Sequence, residues 1–341
     1  MVRIEVAQTR ERVLALRADW EALCDATPAA TPFQRPAWGI SWMRWEGIEH
    51  PRVVAVFCGA DLVGMLPAFL WGSPQEPVLS LLGAGVSDHL DALAAPGFEE
   101  ATLHAARGWL EESRPSWTSC AFDEIGPRAL LRRLPPPRGS RATMREQSVC
   151  PVLVVGEREP VVERVVPRAQ GARLRKARRR AERLGLVETL RAGAEDFPEI
   201  LRILFALHAR RWASRGETGM SRPGVLQMHE RIAGAFAARG MLRLYALRVG
   251  GRYGAVVYGL REGARLHLYM QGIEPELEHV SPGVVLLGAA LEDALAEGVR
   301  EIDFLRGTEP YKYEWGAADE PNVRLCLETP GHALTERPLR R

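Results

Sequence analysis

Residues 241–273, MLRLYALRVGGRYGAVVYGLREGARLHLYMQGI, alternate apolar and polar side chains in three successive runs, with Gly250-Gly251 at the first break. A period of two over short runs predicts strands, and a Gly-Gly pair supplies the backbone freedom of a tight hairpin. The chain then reads SPGVVLLGAALEDALAEG. Ser281 at an N-cap, Pro282 at the first helical position and Gly298 at the far end predict a helix over 283–297. A strand over 300–305 follows, and a last one over 323–328. A helix and a sheet must therefore share one core.

The first half runs through the same order. A strand over 3–6 and a helix over about 10–25 lead to a β-hairpin at 52–71, broken at Gly59 and Asp61. A strand at 77–82, a helix at 99–113 and a strand at 117–122 come next. A loop rich in Pro, Gly and Arg covers 127–148. The second half opens with helices at 168–184, 196–215 and 223–239. Both halves contain helix, hairpin, further strand, helix and strand, which predicts an α/β (α+β mixed-sheet) fold with two similar lobes, 1–155 and 156–341.

The bulk numbers agree. A chain of 341 residues exceeds one ordinary core, and 46% apolar with 26% charged residues is the balance of a folded protein. Against 45 basic residues stand 43 acidic ones, so no global field points at nucleic acid. Lys176 and Lys312 are the only lysines. The N-terminal MVRIEVAQTRERVLALRADW lacks the apolar core of a signal peptide, and no run has the length of a membrane span. The 5 cysteines are scattered without CxxC spacing, which argues against a disulfide framework or a zinc site and for a reducing cytoplasm.

Four segments carry candidate chemistry. The helix start at Ser281, Pro282 and Gly283 is a ready anion site, although Glu274, Glu276 and Glu278 precede it; an ordinary capped helix is the alternative. The helix RAQGARLRKARRRAERL over 168–184 surrounds a thin apolar stripe with arginines and Lys176, which suits either a polyanion or a solvated face. GVSDHLD places Asp88, His89 and Asp91 together, as substrate ligands or as a turn. LHARRW offers Arg211 beside a packed His208–Trp212 pair. Finally FLRGTEPYKYEWG, 304–316, gathers Tyr311, Lys312, Tyr313 and Trp315, either as an aromatic plug over a core or as the lip of a site.

Over most of the chain these segments resemble the CelD-like (BioF2-like) acetyltransferase domain, a GNAT branch related to the Fem peptidyl transferases. The most specific part is SPGVVLLGAALEDALAEGVREIDFLRGTEPYKYEWG; LHARRW, TPFQRPAW and GVSDHLD extend it. The usual Gly-rich loop of GNAT proteins is replaced by HVSPGVV. The resemblance implies tandem GNAT-like lobes in a Fem-like architecture, the second holding acetyl-CoA or another acyl-CoA as substrate and no metal. It implies direct N- or O-acyl transfer to a small-molecule or glycan-precursor acceptor linked to polysaccharide or envelope synthesis. The alternatives are a Fem-like transferase using charged tRNA and a non-catalytic binder of glycan or nucleotide-sugar.

Under that resemblance, Asp303 or a Tyr-bound water is the expected base, with Tyr269 and Tyr311 as further catalytic groups. Gln271, Ser281, Gly283, Val284 and Lys312 are expected at the cofactor. Asp88, His89, Asp91, Lys176, Arg211, Tyr313 and Trp315 are expected at the acceptor. His267, Tyr269 and Gln271 are expected on one face of their strand, because side chains alternate.

Overall fold

The structure, a computed structural model, describes residues 2–156, 161–212, 220 and 222–328. The chain divides into two compact units, Met1–Ser148 with Pro321–Arg341, and Val149–Glu320.

The first unit contains β1 (Val2–Ala7), α1 (Arg10–Ala15), α2 (Arg17–Ala26), α3 (Pro36–Trp45), β2 (Pro51–Cys58), β3 (Asp61–Ser73), β4 (Glu76–Leu81), β5 (Leu93–Ala94), α4 (Glu99–Glu112) and β6 (Ser119–Ile125). The expected helix over 10–25 is interrupted at Leu16, which ends α1 and starts α2. The α3 helix, which periodicity does not announce, starts with Pro36 at its first position and buries Trp38, Trp42 and Met43. β7 (Arg141–Val154) then carries the chain across the unit boundary.

The second unit holds α5 (Val162–Val165), α6 (Arg168–Leu184), β8 (Val187–Arg191), α7 (Phe197–Trp212), α8 (Val225–Ala238), β9 (Leu242–Val249), β10 (Arg252–Glu262), β11 (Arg265–Ile273), α9 (Pro282–Ala296), β12 (Glu301–Asp303) and α10 (Pro310–Glu314). β13 (Ala318–Glu328) closes the described chain.

Strand order in the first unit runs β1-β2-β3-β4-β6-β13, and in the second β8-β9-β10-β11-β12-β7. Each sheet is an antiparallel meander whose fourth strand pairs in parallel with the strand after the helix, β4 with β6 and β11 with β12. Each is completed by an antiparallel strand from the other half of the sequence. Leu325, Cys326 and Leu327 of β13 register against Phe122, Ala121 and Cys120 of β6. Val152, Leu153 and Val154 of β7 register against Asp303, Ile302 and Glu301 of β12. The division thus differs from 1–155 and 156–341 chiefly at the last strand, whose buried residues complete the first core.

In the second unit, α9 is apolar round most of its circumference because it is covered twice. Val285, Leu286 and Ala290 pack on Tyr245, Leu247, Ala255 and Val257 of the sheet, together with Ala177 and Ala181 of α6. Gly288 sets the approach of the two helices: a Cβ there would lie 2.6 Å from Leu174 Cδ1. α7 packs on the opposite face, where Leu204 and Leu207 crowd the bare Cα of Gly272.

Candidate functional site

β11 and β12 pair only through Arg265–Glu301, Leu266–Ile302 and His267–Asp303. β12 ends there, and Leu305 turns the chain with a φ of 55°, while β11 runs on to Ile273 and delivers the chain toward α9. Just beyond the last pair, the register with β10 jumps from Tyr258–Met270 to Gly259–Leu268, leaving Tyr269 as the extra residue of a β-bulge. The strands therefore part at the place where β11 is irregular.

The bulge resets the faces of β11. The Tyr269 ring lies 5.2 Å from His229 of α8 and 5.7 Å from Tyr258. Gly272 faces α7, whereas Ile273 meets Gly283 of α9. By alternation Gln271 shares the α9 side with Ile273. The expectation that Tyr269 and Gln271 share one face is corrected: the extra residue puts them on opposite faces.

Under α7 and α8, Phe205, His229, Tyr258 and Tyr269 form an aromatic cluster, with His229 centred 5.7 Å from Phe205 and 5.8 Å from Tyr258. Complete burial lowers the His229 pKa to about 3, so the imidazole is neutral and is no acid near pH 7. The Tyr258 hydroxyl is buried and finds no hydrogen-bond partner among the described residues, and burial raises its pKa well above the usual phenol range. Sequence reading missed both residues. His229 lies on the apolar stripe of Val225, Met228, Ile232 and Phe236, where a histidine signals only a buried ring. Since an unpaired buried hydroxyl is destabilising, Tyr258→Phe is expected to raise stability by about 1 kcal/mol in urea unfolding; a loss of that size would mean the hydroxyl is paired.

At the start of α9, Ser281 occupies the N-cap position in a left-handed conformation (φ 57°) and makes no side-chain cap bond. Its carbonyl accepts from Val284 N at 3.0 Å and Val285 N at 3.3 Å. Pro282 has no N–H, so Gly283 is the first-turn amide that Ser281 does not take. Gly283 also admits the end of β11, because a Cβ there would lie 2.7 Å from Ile273 Cδ1. The acidic flank is partly neutralised, with Glu274 paired to Arg210 at 2.9 Å and Glu276 to Arg252 at 2.7 Å.

The FLRGTEPYKYEWG segment is mainly a plug. Lys312 is buried, and its Nζ donates to the carbonyls of Leu305 (2.9 Å), Arg306 (2.8 Å) and Gly307 (3.2 Å) beside the Glu309 carboxylate at 3.0 Å. The expectation of a phosphate contact is corrected, because the ammonium is already surrounded by acceptors. Trp315 lies in the core with Leu153, Leu287 and Leu291 rather than at a lip, and Tyr311 packs against that core, 6.2 Å from Phe304. Tyr313 is partly exposed and donates to Asp319 at 2.8 Å. Asp303, fully buried, accepts from Arg265 at 2.8 and 3.1 Å and from Leu305 N at 2.8 Å, and His267 Nδ1 lies 3.4 Å away. That is the setting of an ion-pair partner, and the expected base role is corrected accordingly.

In the first unit Asp91 is a cap. It accepts from Ala92 N and Leu131 N at 2.8 Å each and from Leu130 N, and burial pushes its pKa up to about 7 against those donors. The expected substrate contact is corrected, because its oxygens hold the 130–133 turn. His89 is buried with a φ of 52°, its ring against the bare face of Gly126, and Asp88 is buried beside it in sequence. Lys176 is exposed on α6. The Arg211 side chain lies outside the described residues.

The arrangement is that of a mixed α/β fold in which two parallel strands part ahead of a helix N-terminus. Residues 168–313 match the acetyltransferase (GNAT) domain family. Among solved structures, FemX is similar with a TM-score of 0.64 at 10% identity, covering 91% of this chain and 95% of that one. A conserved protein of unknown function from Bacteroides thetaiotaomicron has a TM-score of 0.61 at 12% identity, covering 96% and 100%. The C-terminal domain (DUF2156) of a putative lysylphosphatidylglycerol synthetase from Agrobacterium fabrum has a TM-score of 0.59 at 10% identity, covering 93% and 92%. At such identities the likeness is one of fold. No protein of curated function matches the chain.

Proposed function

We propose that the second unit transfers an acyl group from an acyl-CoA thioester directly to an amine or hydroxyl. The observation that supports this most is the parting of β11 from β12 beside the Tyr269 bulge. It leaves backbone at 268–273 outside the β11–β12 ladder, and a thioester carbonyl placed there could take its hydrogen bonds. The strand leads on to the first turn of α9, where the Gly283 amide suits the pyrophosphate of the donor, the Val284 amide being taken by Ser281. Tyr269 lines the side away from α9 and would meet the acceptor. The acceptor class we assign, a polysaccharide or cell-envelope precursor, rests on the resemblance of the sequence alone.

Release of coenzyme A thiol from acetyl-CoA and longer acyl-CoAs, with amine and sugar acceptors, tests the reading. Gly283→Asp is expected to weaken acyl-CoA binding in calorimetry by at least tenfold, by charge repulsion and obstruction of the first turn. Gly283→Ala, which meets only the flexible end of Ile273, is expected to stay within a few-fold of wild type. Equal loss in both would assign the effect to packing against β11. Wild-type protein that binds no acyl-CoA but turns over charged tRNA would replace the proposed donor.

A further inference from the structure

The solvent side of α6 is cationic to an unusual degree. Gln170, Gly171, Leu174, Ala177 and Ala181 form its buried stripe. Around the remaining arc Arg168, Arg175, Lys176, Arg179, Arg180 and Arg183 are exposed and make no ion pair among the described residues. Arg173 pairs with Glu314, and Arg178 with Glu163 and Glu292. The unpaired cations stand four residues apart, 175 with 179, 176 with 180 and 179 with 183. Each such like-charge pair destabilises the helix that carries it. A helix already anchored through Leu174 against Gly288 does not need this repulsion for solubility.

The apolar neighbours of these charges are leucines. Leu184, at the end of α6, is 48% exposed and Leu186, two residues on, is 70% exposed. Gly185 between them takes a φ of 145°, where a Cβ would lie 3.1 Å from Gly250 Cα at the β9–β10 turn, and Gly250 N donates to the Leu186 carbonyl at 2.9 Å, so the backbone that carries the two leucines is held against that turn. Single-stranded nucleic acid is gripped by aromatic rings stacked between cations. Here the cations are followed by aliphatic side chains, which suit a headgroup layer with acyl chains beneath it. The apolar stripe of α6 faces the protein, so the helix would lie on the charged surface while the leucines enter it.

We propose that the solvent face of α6, with Leu184 and Leu186, docks the protein on an anionic phospholipid surface. The test is co-sedimentation of the full chain with phosphatidylcholine vesicles, with and without phosphatidylglycerol. Binding is expected only when phosphatidylglycerol is present. Each cation near such a surface contributes about 1 kcal/mol, about fivefold in partitioning. The combined change Arg179→Glu, Arg180→Glu and Arg183→Glu is therefore expected to lower partitioning at least tenfold without lowering the thermal unfolding midpoint, because all three side chains are exposed and the like-charge repulsion along the helix is relieved.

If that variant does not fold, Arg179→Gln with Arg183→Gln supplies the same comparison at smaller amplitude. Leu184→Ser with Leu186→Ser is expected to remove the binding that survives high salt, since apolar contacts are not screened. Equal binding to both vesicle types, or undiminished binding by a folded charge variant, would overturn the proposal. So would binding of tRNA by wild type without binding to phosphatidylglycerol vesicles, which would make α6 an RNA surface. None of these readouts requires acyl transfer, so they stand apart from the test of the proposed reaction.

Discussion

Lys312→Met is expected to lower the stability of the protein by about 3 kcal/mol, read as a shift in urea midpoint at unchanged slope. The side chain is 3% exposed, and its ammonium holds three successive carbonyls, those of Leu305, Arg306 and Gly307. Their convergence depends on the positive φ of Leu305 (55°) and Gly307 (116°). Without the ammonium, like-oriented dipoles would face one another with nothing between them, and a buried carbonyl without a donor costs about 1–3 kcal/mol. Methionine keeps the volume of the stem, so packing is not the variable. Arg would not rescue, because a planar guanidinium cannot replace a compact ammonium in a cradle of this size. A Lys312→Met protein with wild-type stability and a selective loss of acyl-CoA affinity would return Lys312 to the donor site.

The second large effect is a pH dependence from His229. Its folded pKa, about 3, lies below the ordinary value of 6.5, so the unfolded chain binds more protons than the native protein between those limits. Stability from this group is fully present above pH 6.5 and is lost progressively as pH falls toward 3. At pH 5 the loss is about 2 kcal/mol, from 1.36 kcal/mol per pH unit below 6.5. His229→Phe keeps a ring among Phe205, Tyr258 and Tyr269 and removes the titration. The variant's unfolding midpoint is expected to vary less between pH 7 and pH 5 than that of wild type. An identical slope in both proteins would mean that His229 titrates in the native state or is solvated.

Much of this fold was legible in the sequence. The meander, the capped helix after it and the same order in the first half all rest on short-range periodicity and on turn residues, which act within a few positions. Missed elements share a cause. β7 carries Arg145, Glu146 and Gln147 exposed in its middle and shows no alternation there; it is a strand because of what it pairs with. α10 has five residues and exists because Pro310 starts it and the Lys312 ammonium ties it to the preceding loop. The candidate site was half legible. The junction at 269–284 was identified, but the bulge at Tyr269 leaves no mark in the sequence, because a bulge is a property of two strands in register.

The sequence by itself determined the order of strands and helices, the place where β11 hands over to α9, and the density of charge on α6. These depend on residues near one another along the chain. Only the tertiary structure decided that each sheet takes its closing strand from the other half, that Tyr269 and Gln271 face opposite ways, and that Lys312, Asp303 and Trp315 hold the loop, an ion pair and the core. Those outcomes depend on which backbone groups and side chains meet across long loops, where the pairing that buries the most apolar surface and leaves the fewest polar groups unsatisfied prevails over any local preference.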